Sequence, residues 1–214
     1  MSPRPYRLGK RQEGVDETRG RILEAARSLL EGDGYAEFTV DTVAREADVS
    51  RATVYYQFGS KTGLMEALFD DLAVRGRMTD LAGAFQEPDP LAALDRFIAI
   101  FVRFYASDRI LLRRLRGLAA VDLDFARGIR GRDERRRKGL TVLLGRMAAE
   151  HGRPRENDLE RALDVLHTLT SFETFDNLAR PGRKAAEVVE IVAELARTEL
   201  GLAPLPGTPG PGSG

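Results

Sequence analysis

The sequence predicts an all-α protein with an N-terminal three-helix domain followed by a helical bundle. Apolar residues recur every three or four positions along most of the chain, the spacing of amphipathic helices. No stretch between turn signals alternates apolar and polar residues as a half-buried strand would. Of the 214 residues, 43% are hydrophobic, which is enough for a sizeable core, and none is cysteine. The composition therefore excludes a disulfide scaffold and thiolate chemistry.

The division into domains follows from charge, glycine and proline. Residues 1–16 are polar and basic, which predicts a flexible N-terminal arm, with a basic arm on phosphate as the functional alternative. Residues 17–78 form the first predicted domain and residues 79–203 the second. Residues 204–214 are rich in proline and glycine, which predicts a disordered tail.

Three helices and a connecting helix are predicted in the first domain. The first helix begins near Thr18, and two short helices follow, with Thr39 and Ser50 as their N-caps. The second short helix ends at Phe58, and Ser60 then caps a longer helix that leads into the second domain. The apolar stripe of the first helix comprises Ile22, Ala25, Ala26, Leu29 and Leu30.

Two short helices joined by a tight turn have the helix-turn-helix pattern. Val54 and Phe58 are four residues apart, so they share a face that can pack on the preceding helix. The opposite face then presents Ala52 and Tyr56, flanked by Thr53 and Tyr55, with Arg51 at its start. Such a face suits the DNA major groove, because arginine pairs with guanine, alanine permits close approach and tyrosine hydroxyls bind phosphates. Lys61 lies at a helix start, where a phosphate is favoured.

The stretch from Thr18 to about Asp70 resembles the TetR family of transcriptional regulators. The pattern Val-Ser-x-x-Thr-Val-Tyr-x-x-Phe-x-Ser-Lys over residues 49–61 carries the resemblance. Asp48 stands in the turn where the family usually has glycine, and aspartate tolerates the left-handed conformation better than most residues. The resemblance, together with the face described above, implies DNA contacts by Thr39, Ser50, Arg51, Ala52, Thr53, Tyr55, Tyr56, Gln57 and Lys61.

The resemblance implies that the second domain binds a ligand and forms a dimer. Helices are predicted over residues 91–107, 109–118, 123–151, 158–179 and 183–200. A pocket with apolar walls and a few polar tips is predicted from Phe101, Phe104, Tyr105, His167, Thr170 and Phe175. A dimer interface on the last two helices is predicted from Leu163, Leu166, Leu169, Val188, Val189, Val192 and Leu195.

The segment 103–138 is basic, with twelve Lys or Arg against five Asp or Glu. One interpretation is a solvated helical face with i,i+4 pairs such as Asp133 with Arg137. The alternatives are attraction of an anionic ligand, such as an acyl-thioester or carboxylate, or an additional DNA contact.

An enzyme is not expected, because the sequence has no catalytic constellation, no metal-ligand spacing and no glycine-rich phosphate loop. We expect no metal, no cofactor and no membrane association, and a cytoplasmic location. The resemblance implies a ligand-responsive repressor that binds a palindromic double-stranded operator as a homodimer. Its unknown effector is expected to be a largely apolar small molecule, with the helix from Ser60 as the coupling lever. A helical small-molecule-binding protein without DNA function is the alternative.

Overall fold

The computed structural model describes residues 6–32, 38–152, 154–155 and 158–202. Their regular secondary structure consists of α-helices and a 3₁₀ turn at Met78–Asp80, which confirms the predicted fold class. The helices are α1 (Tyr6–Glu31), α2 (Val40–Glu46), α3 (Arg51–Phe58), α4 (Lys61–Arg75), α5 (Leu81–Phe85), α6 (Pro90–Ser107), α7 (Arg109–Ala119), α8 (Leu123–His151), α9 (Leu159–Leu169), α10 (Phe172–Leu178) and α11 (Ala185–Glu199).

The chain divides into two compact units. Unit 1 comprises Met1–Asp71 and Ile110–Ile129, and unit 2 comprises Leu72–Arg109 and Arg130–Gly214. In unit 1, α2 packs on α1 and α3, and in unit 2, α6 packs on α5, α10 and α11. The segment Ile110–Ile129 lies within residues 79–203, the second domain predicted from the sequence. Its contacts nevertheless group it with unit 1.

Helix α1 begins at Tyr6, so residues 6–16 are helical where the sequence predicts a flexible arm. Most residues of this stretch are good helix formers such as Arg, Lys, Gln and Glu, and extending an existing helix requires no new nucleus. The helix is anchored by its apolar stripe, in which Ile22, Ala26 and Leu30 are fully buried. Residues 1–5 of the predicted arm and the predicted tail, 204–214, lie outside the described residues.

The single helix predicted over residues 158–179 is instead two helices, α9 and α10. The Thr170 hydroxyl donates to the Leu166 carbonyl at 2.8 Å, and the Ser171 hydroxyl accepts from the Thr174 N–H at 3.2 Å. Adjacent hydroxyl side chains thus bind backbone groups at the end of one helix and the start of the next. The break matters because it places Thr170 beside the buried site described below.

Among the described residues, no helix combines the length and the apolar character that crossing a membrane requires.

Candidate functional site

The ends of α2 and α3 are held by short hydroxyl side chains. Thr39 caps α2, with its hydroxyl accepting from the Thr42 N–H at 3.1 Å while the Thr42 hydroxyl accepts from the Thr39 N–H at 3.0 Å. Ser50 caps α3 by accepting from the Thr53 N–H at 3.1 Å. Each hydroxyl gives an acceptor to a backbone N–H in the first turn of its helix, so local sequence defines where both helices begin.

The turn between α2 and α3 depends on Asp48. Asp48 has a φ of 51°, the left-handed conformation expected for its position in the turn. The next residue, Val49, donates its N–H to the Ala44 carbonyl at 3.0 Å and closes the turn. The departure from glycine at this position is therefore accommodated.

Helix α3 has one buried and one exposed face, as its spacing predicts. Val54 is buried against the core, whereas Ala52 is exposed and Tyr56 is 81% exposed. Phe58 is half-buried, and the Arg19 guanidinium lies 4.5 Å from the centre of its ring. Tyr56 therefore presents an aromatic ring with a polar hydroxyl to the solvent.

Arg51 is held on this surface by two neighbours. One guanidinium nitrogen lies 3.2 Å from the Asp41 carboxylate and another lies 3.3 Å from the Tyr55 hydroxyl. The hydrogen bond with Tyr55, and then the charge of Asp41, raise the pKa of Arg51 above its ordinary value. All three side chains are exposed, so Arg51 can leave these partners for a new one.

The end of α3 is held against α1 through Gln57. The Gln57 side-chain amide donates to the Val15 carbonyl at 3.4 Å, and its backbone carbonyl accepts from Arg19 at 3.2 Å. Gln57 therefore has a positioning contact besides the DNA contact that the resemblance implies. Lys61 is half-buried, with its ammonium 5.5 Å from the centre of the Phe38 ring.

The junction between α3 and α4 requires glycine at position 63. A Cβ atom on Gly63 would lie 2.0 Å from the Phe58 carbonyl oxygen, far inside contact distance. The Ser60 hydroxyl accepts from the Gly63 N–H at 2.9 Å and begins α4. The close approach of the backbone at Gly63 to the end of α3 thus fixes where α4 begins.

The second candidate site is a buried group of aromatic rings in unit 2, here called the aromatic cluster. Adjacent rings have centroids 4.7 to 6.4 Å apart, the range of favourable ring packing. The Tyr105 hydroxyl donates to the Thr170 carbonyl at 3.2 Å, so its polar end is satisfied. The members are Phe85, Phe97, Phe101, Phe104, Tyr105, Phe172 and Phe175.

A cavity of about 10 Å³ lies within this part of unit 2. Four of the six predicted pocket residues line it, namely Phe101, Tyr105, Thr170 and Phe175. Phe104 packs its ring on Tyr105 but is not a lining residue, and His167 lies in a separate polar group. The cavity is also lined by residues not predicted for it, Ile98, Val102, Leu169, Ser171 and Val192.

The polar group beside the cavity is centred on Arg136. Its guanidinium donates to the His167 carbonyl at 3.0 Å and to the Thr170 hydroxyl at 3.3 Å, and lies 3.0 Å from His167 Nε2. Asp133 contacts the same guanidinium at 3.3 Å. Burial, and then the charge of Arg136, lower the pKa of His167 and so favour its neutral imidazole.

Sequence reasoning missed Arg136 because it lies within a run of four basic residues. A periodic signal was nevertheless present, since Arg136 continues the buried stripe of α8 at helical spacing. That stripe comprises Ile129, Arg136, Leu140, Leu143 and Met147.

The predicted dimer residues divide into two sets. Leu166, Val188 and Val192 are buried within the protomer, because α9 and α11 pack on one another there. The other four keep exposed surface, with Leu195 exposed and Leu163, Leu169 and Val189 half-buried.

One cluster of possible metal ligands occurs in the described part of the chain, formed by Asp89, Glu150 and His151. All three are exposed, and the Asp89 carboxylate already accepts the Leu91 and Ala92 N–H groups at 3.0 and 3.3 Å. Asp89 therefore serves as the N-cap of α6.

Comparison with known proteins identifies the first site. Residues 22–68 match the family model described as bacterial regulatory proteins, tetR family. The HTH-type transcriptional regulator EthR of Mycolicibacterium smegmatis is 37% identical over 93 residues, 43% of this chain and 43% of that protein. TtgR of Pseudomonas putida is 25% identical over 195 residues, 87% of this chain and 90% of that protein.

The likeness extends to the whole fold. The crystal structure of a TetR transcription regulator from Haloarcula marismortui has a TM-score of 0.67 at 21% identity, covering 87% of this chain and 97% of that one. The chain spans less than half of EthR and nine tenths of TtgR. These relatives are regulators rather than enzymes, and the alternative of a binding protein without DNA function has no support from them. The capped helix pair with its exposed α3, the family match and the shared fold together show that this chain belongs to the TetR family of DNA-binding transcriptional regulators.

Proposed function

We propose that the chain is a ligand-responsive repressor that binds a palindromic operator as a homodimer. The supporting observation is α3, whose outer face exposes Arg51, Ala52 and Tyr56 while Val54 anchors it in the core. Residues 17–78 would then form the DNA-binding domain and residues 79–203 the ligand-binding and dimerisation domain.

The proposed DNA contacts divide by chemistry. Arg51, Ala52 and Thr53 face the bases, because their side chains lie near the start of α3, where a recognition helix meets the groove. Hydroxyl, amide and ammonium groups around them bind the phosphate backbone and set the register. These phosphate-binding residues are Thr39, Ser50, Tyr55, Tyr56, Gln57 and Lys61.

A homodimer is proposed because one α3 reads few base pairs. Two copies related by a twofold axis would place two recognition helices one DNA turn apart, about 34 Å, and read two half-sites. The proposed interface uses the members of the predicted set that keep exposed surface, Leu163, Leu169, Val189 and Leu195.

The effector is proposed to bind in the aromatic cluster. Small-molecule sites usually have volumes of about 300 Å³ or more, far above the 10 Å³ of the cavity. The rings must therefore separate to admit a ligand, which gives the ligand different affinities for the closed and open forms. That difference in affinity is what shifts the operator affinity, with α4 as the proposed lever between the domains. We place the protein in the cytoplasm, with its DNA.

Selection of random duplex DNA against the purified full chain, followed by sequencing, tests the proposal. We expect enrichment of a palindrome with half-sites about one helical turn apart. Failure to enrich any sequence with a folded dimer would contradict it. Fluorescence anisotropy with one half-site scrambled then tests the twofold geometry, because an unchanged affinity would exclude dimeric binding.

Two further measurements test assembly and response. Light scattering at micromolar concentration should give twice the mass of one chain. A measured mass equal to that of one chain would contradict the proposed homodimer. Operator affinity should fall when a tight ligand is added, and an unchanged affinity would remove the coupling.

A further inference from the structure

We propose that Arg136 is the anion-recognising residue of the effector site, and that the effector carries a carboxylate on an apolar body. This inference rests on the proposed function, because it assigns a ligand class to the aromatic cluster. Three observations support it: the burial of Arg136, its incomplete pairing, and its place beside the cavity.

Arg136 is 4% exposed, and its Nε has no hydrogen-bond partner among the described residues. A buried donor left unpaired costs free energy, and a buried charge costs more unless it is fully paired. The bond from Nη1 to the His167 carbonyl gives Arg136 a structural role at the end of α9. That role leaves the Nε donor unused.

The carboxylate nearest to Arg136 neutralises it poorly. Asp133 reaches one nitrogen with one oxygen at 3.3 Å, and its side chain is 30% exposed. Arg109 in the same unit is different, because all three of its nitrogens have partners. Nε donates to the Asp176 carboxylate, and the two Nη atoms donate to the backbone carbonyls of Asp176 and Ala179. Nε is the unused donor of Arg136, and a carboxylate that displaced Asp133 from Nη2 would bind Nε and Nη2 together through two hydrogen bonds.

The guanidinium lies directly behind the wall of the cavity. Its central carbon is 6.0 Å from the centre of the Phe101 ring, and Nη1 is 3.3 Å from the Thr170 hydroxyl. Phe101 and Thr170 both line the cavity. When the rings separate to admit a ligand, movement of either side chain brings the cavity and the guanidinium together.

The surroundings favour an anion over the other ligand classes. A cationic ligand would be repelled by Arg136, and a neutral apolar ligand would leave Nε unpaired. The charge of Arg136 is one cause of the lowered pKa of His167, which is consistent with a positive potential around these two side chains. A carboxylate gains charge-assisted hydrogen bonds that its neutral isostere does not, which should strengthen binding by about tenfold or more.

Calorimetric titration of the full chain with matched ligand pairs tests the proposal. The probes are decanoate against decanamide, and 2-naphthoate against 2-naphthamide, which differ in charge and hardly in shape. We expect each carboxylate that binds to bind about tenfold or more tightly than its amide. Equal affinities within the pairs, or no binding by any of the four, would overturn the assignment.

Variants locate the effect. Arg136→Met should abolish the carboxylate preference, whereas Arg135→Met, at an exposed neighbour on the same helix, should retain it. Asp133→Asn removes the competing carboxylate and should increase the preference. A preference that persists in Arg136→Met would overturn the role of Arg136. If that variant does not fold, Arg136→Lys and Asp133→Asn provide the test, with the preference reduced in the first and increased in the second.

Operator binding measured without ligand separates this inference from the proposed function. A chain that binds its operator but shows no carboxylate preference would contradict only the ligand class. A chain that prefers carboxylates but binds no operator would contradict the proposed repressor and leave the assignment of Arg136 intact.

Discussion

The exposed face of α3 depends mainly on local contacts, whereas the aromatic cluster also depends on contacts between distant parts of the chain. On α3, the caps, the turn and the Arg51–Tyr55 contact join residues three to five positions apart. In the aromatic cluster, the Tyr105–Thr170 hydrogen bond joins residues 65 positions apart. A site made by local contacts leaves a recognisable pattern in the sequence, whereas a site made by long-range packing does not.

Two arginines show the same difference. Arg51 stands in solvent with an exposed carboxylate and a hydroxyl, so it is free to exchange partners. Arg136 is enclosed, and its partners are backbone and side-chain groups from α8, α9 and the Thr170 turn. One arginine is suited to meeting a surface from outside, and the other to meeting a molecule that enters the core.

The largest expected contrast comes from removing one ring in each region. Phe97 is fully buried and packs 4.7 Å from Phe101, so Phe97→Ala should lower the free energy of unfolding by about 3–5 kcal/mol. Tyr56→Ala should leave the free energy of unfolding within about 0.5 kcal/mol of the original, since its ring is exposed. Chemical denaturation followed by circular dichroism measures both. Similar losses in the two variants would contradict the comparison.

Arg51→Met should weaken operator binding by about ten- to a hundredfold while leaving the thermal midpoint unchanged. The reason is that Arg51 is proposed to contact a base, while its side chain is mostly exposed in the free protein. Anisotropy with the selected operator measures the loss. Arg180→Met is the matched control, because it removes one exposed positive charge from unit 2, and it should bind almost normally.

Asp41→Asn should increase the affinity for non-specific DNA by about two- to fivefold. It should thereby lower the ratio of the affinity for the operator to the affinity for non-specific DNA. The Asp41 carboxylate lies 3.2 Å from Arg51, and its negative charge repels phosphates. Residues 1–62 carry ten basic and ten acidic side chains, so removing one carboxylate gives this region a net positive charge. Anisotropy on scrambled duplex across a salt series measures the change. An unchanged non-specific affinity would show that Asp41 does not restrain Arg51.

The smallest expected effect is a pH dependence from His167. Burial and Arg136 lower its pKa in the folded chain, so the unfolded chain binds the proton first as the pH falls. The contribution to stability is therefore complete above the unfolded pKa of about 6.5 and is lost as the pH falls below that value. The thermal midpoint should fall less between pH 7 and pH 5.5 in His167→Gln than in the original chain. Equal falls would contradict this.

Local sequence patterns predict the fold class, the caps at Thr39 and Ser50, the turn at Asp48 and the exposed face of α3. These features depend on contacts between residues close in the chain, and helical spacing and capping chemistry encode such contacts directly. The same rules carry the family pattern over residues 49–61, which is why the DNA-binding region could be recognised.

Which helix faces pack against each other could not be read from the local patterns. Packing between distant helices buried Leu166 and Val192 within the protomer and enclosed Arg136 beside the aromatic cluster. An apolar residue at helical spacing is equally suited to a core, a pocket or an interface. The choice depends on which distant helix packs against it, and that is a property of the assembled chain rather than of any segment.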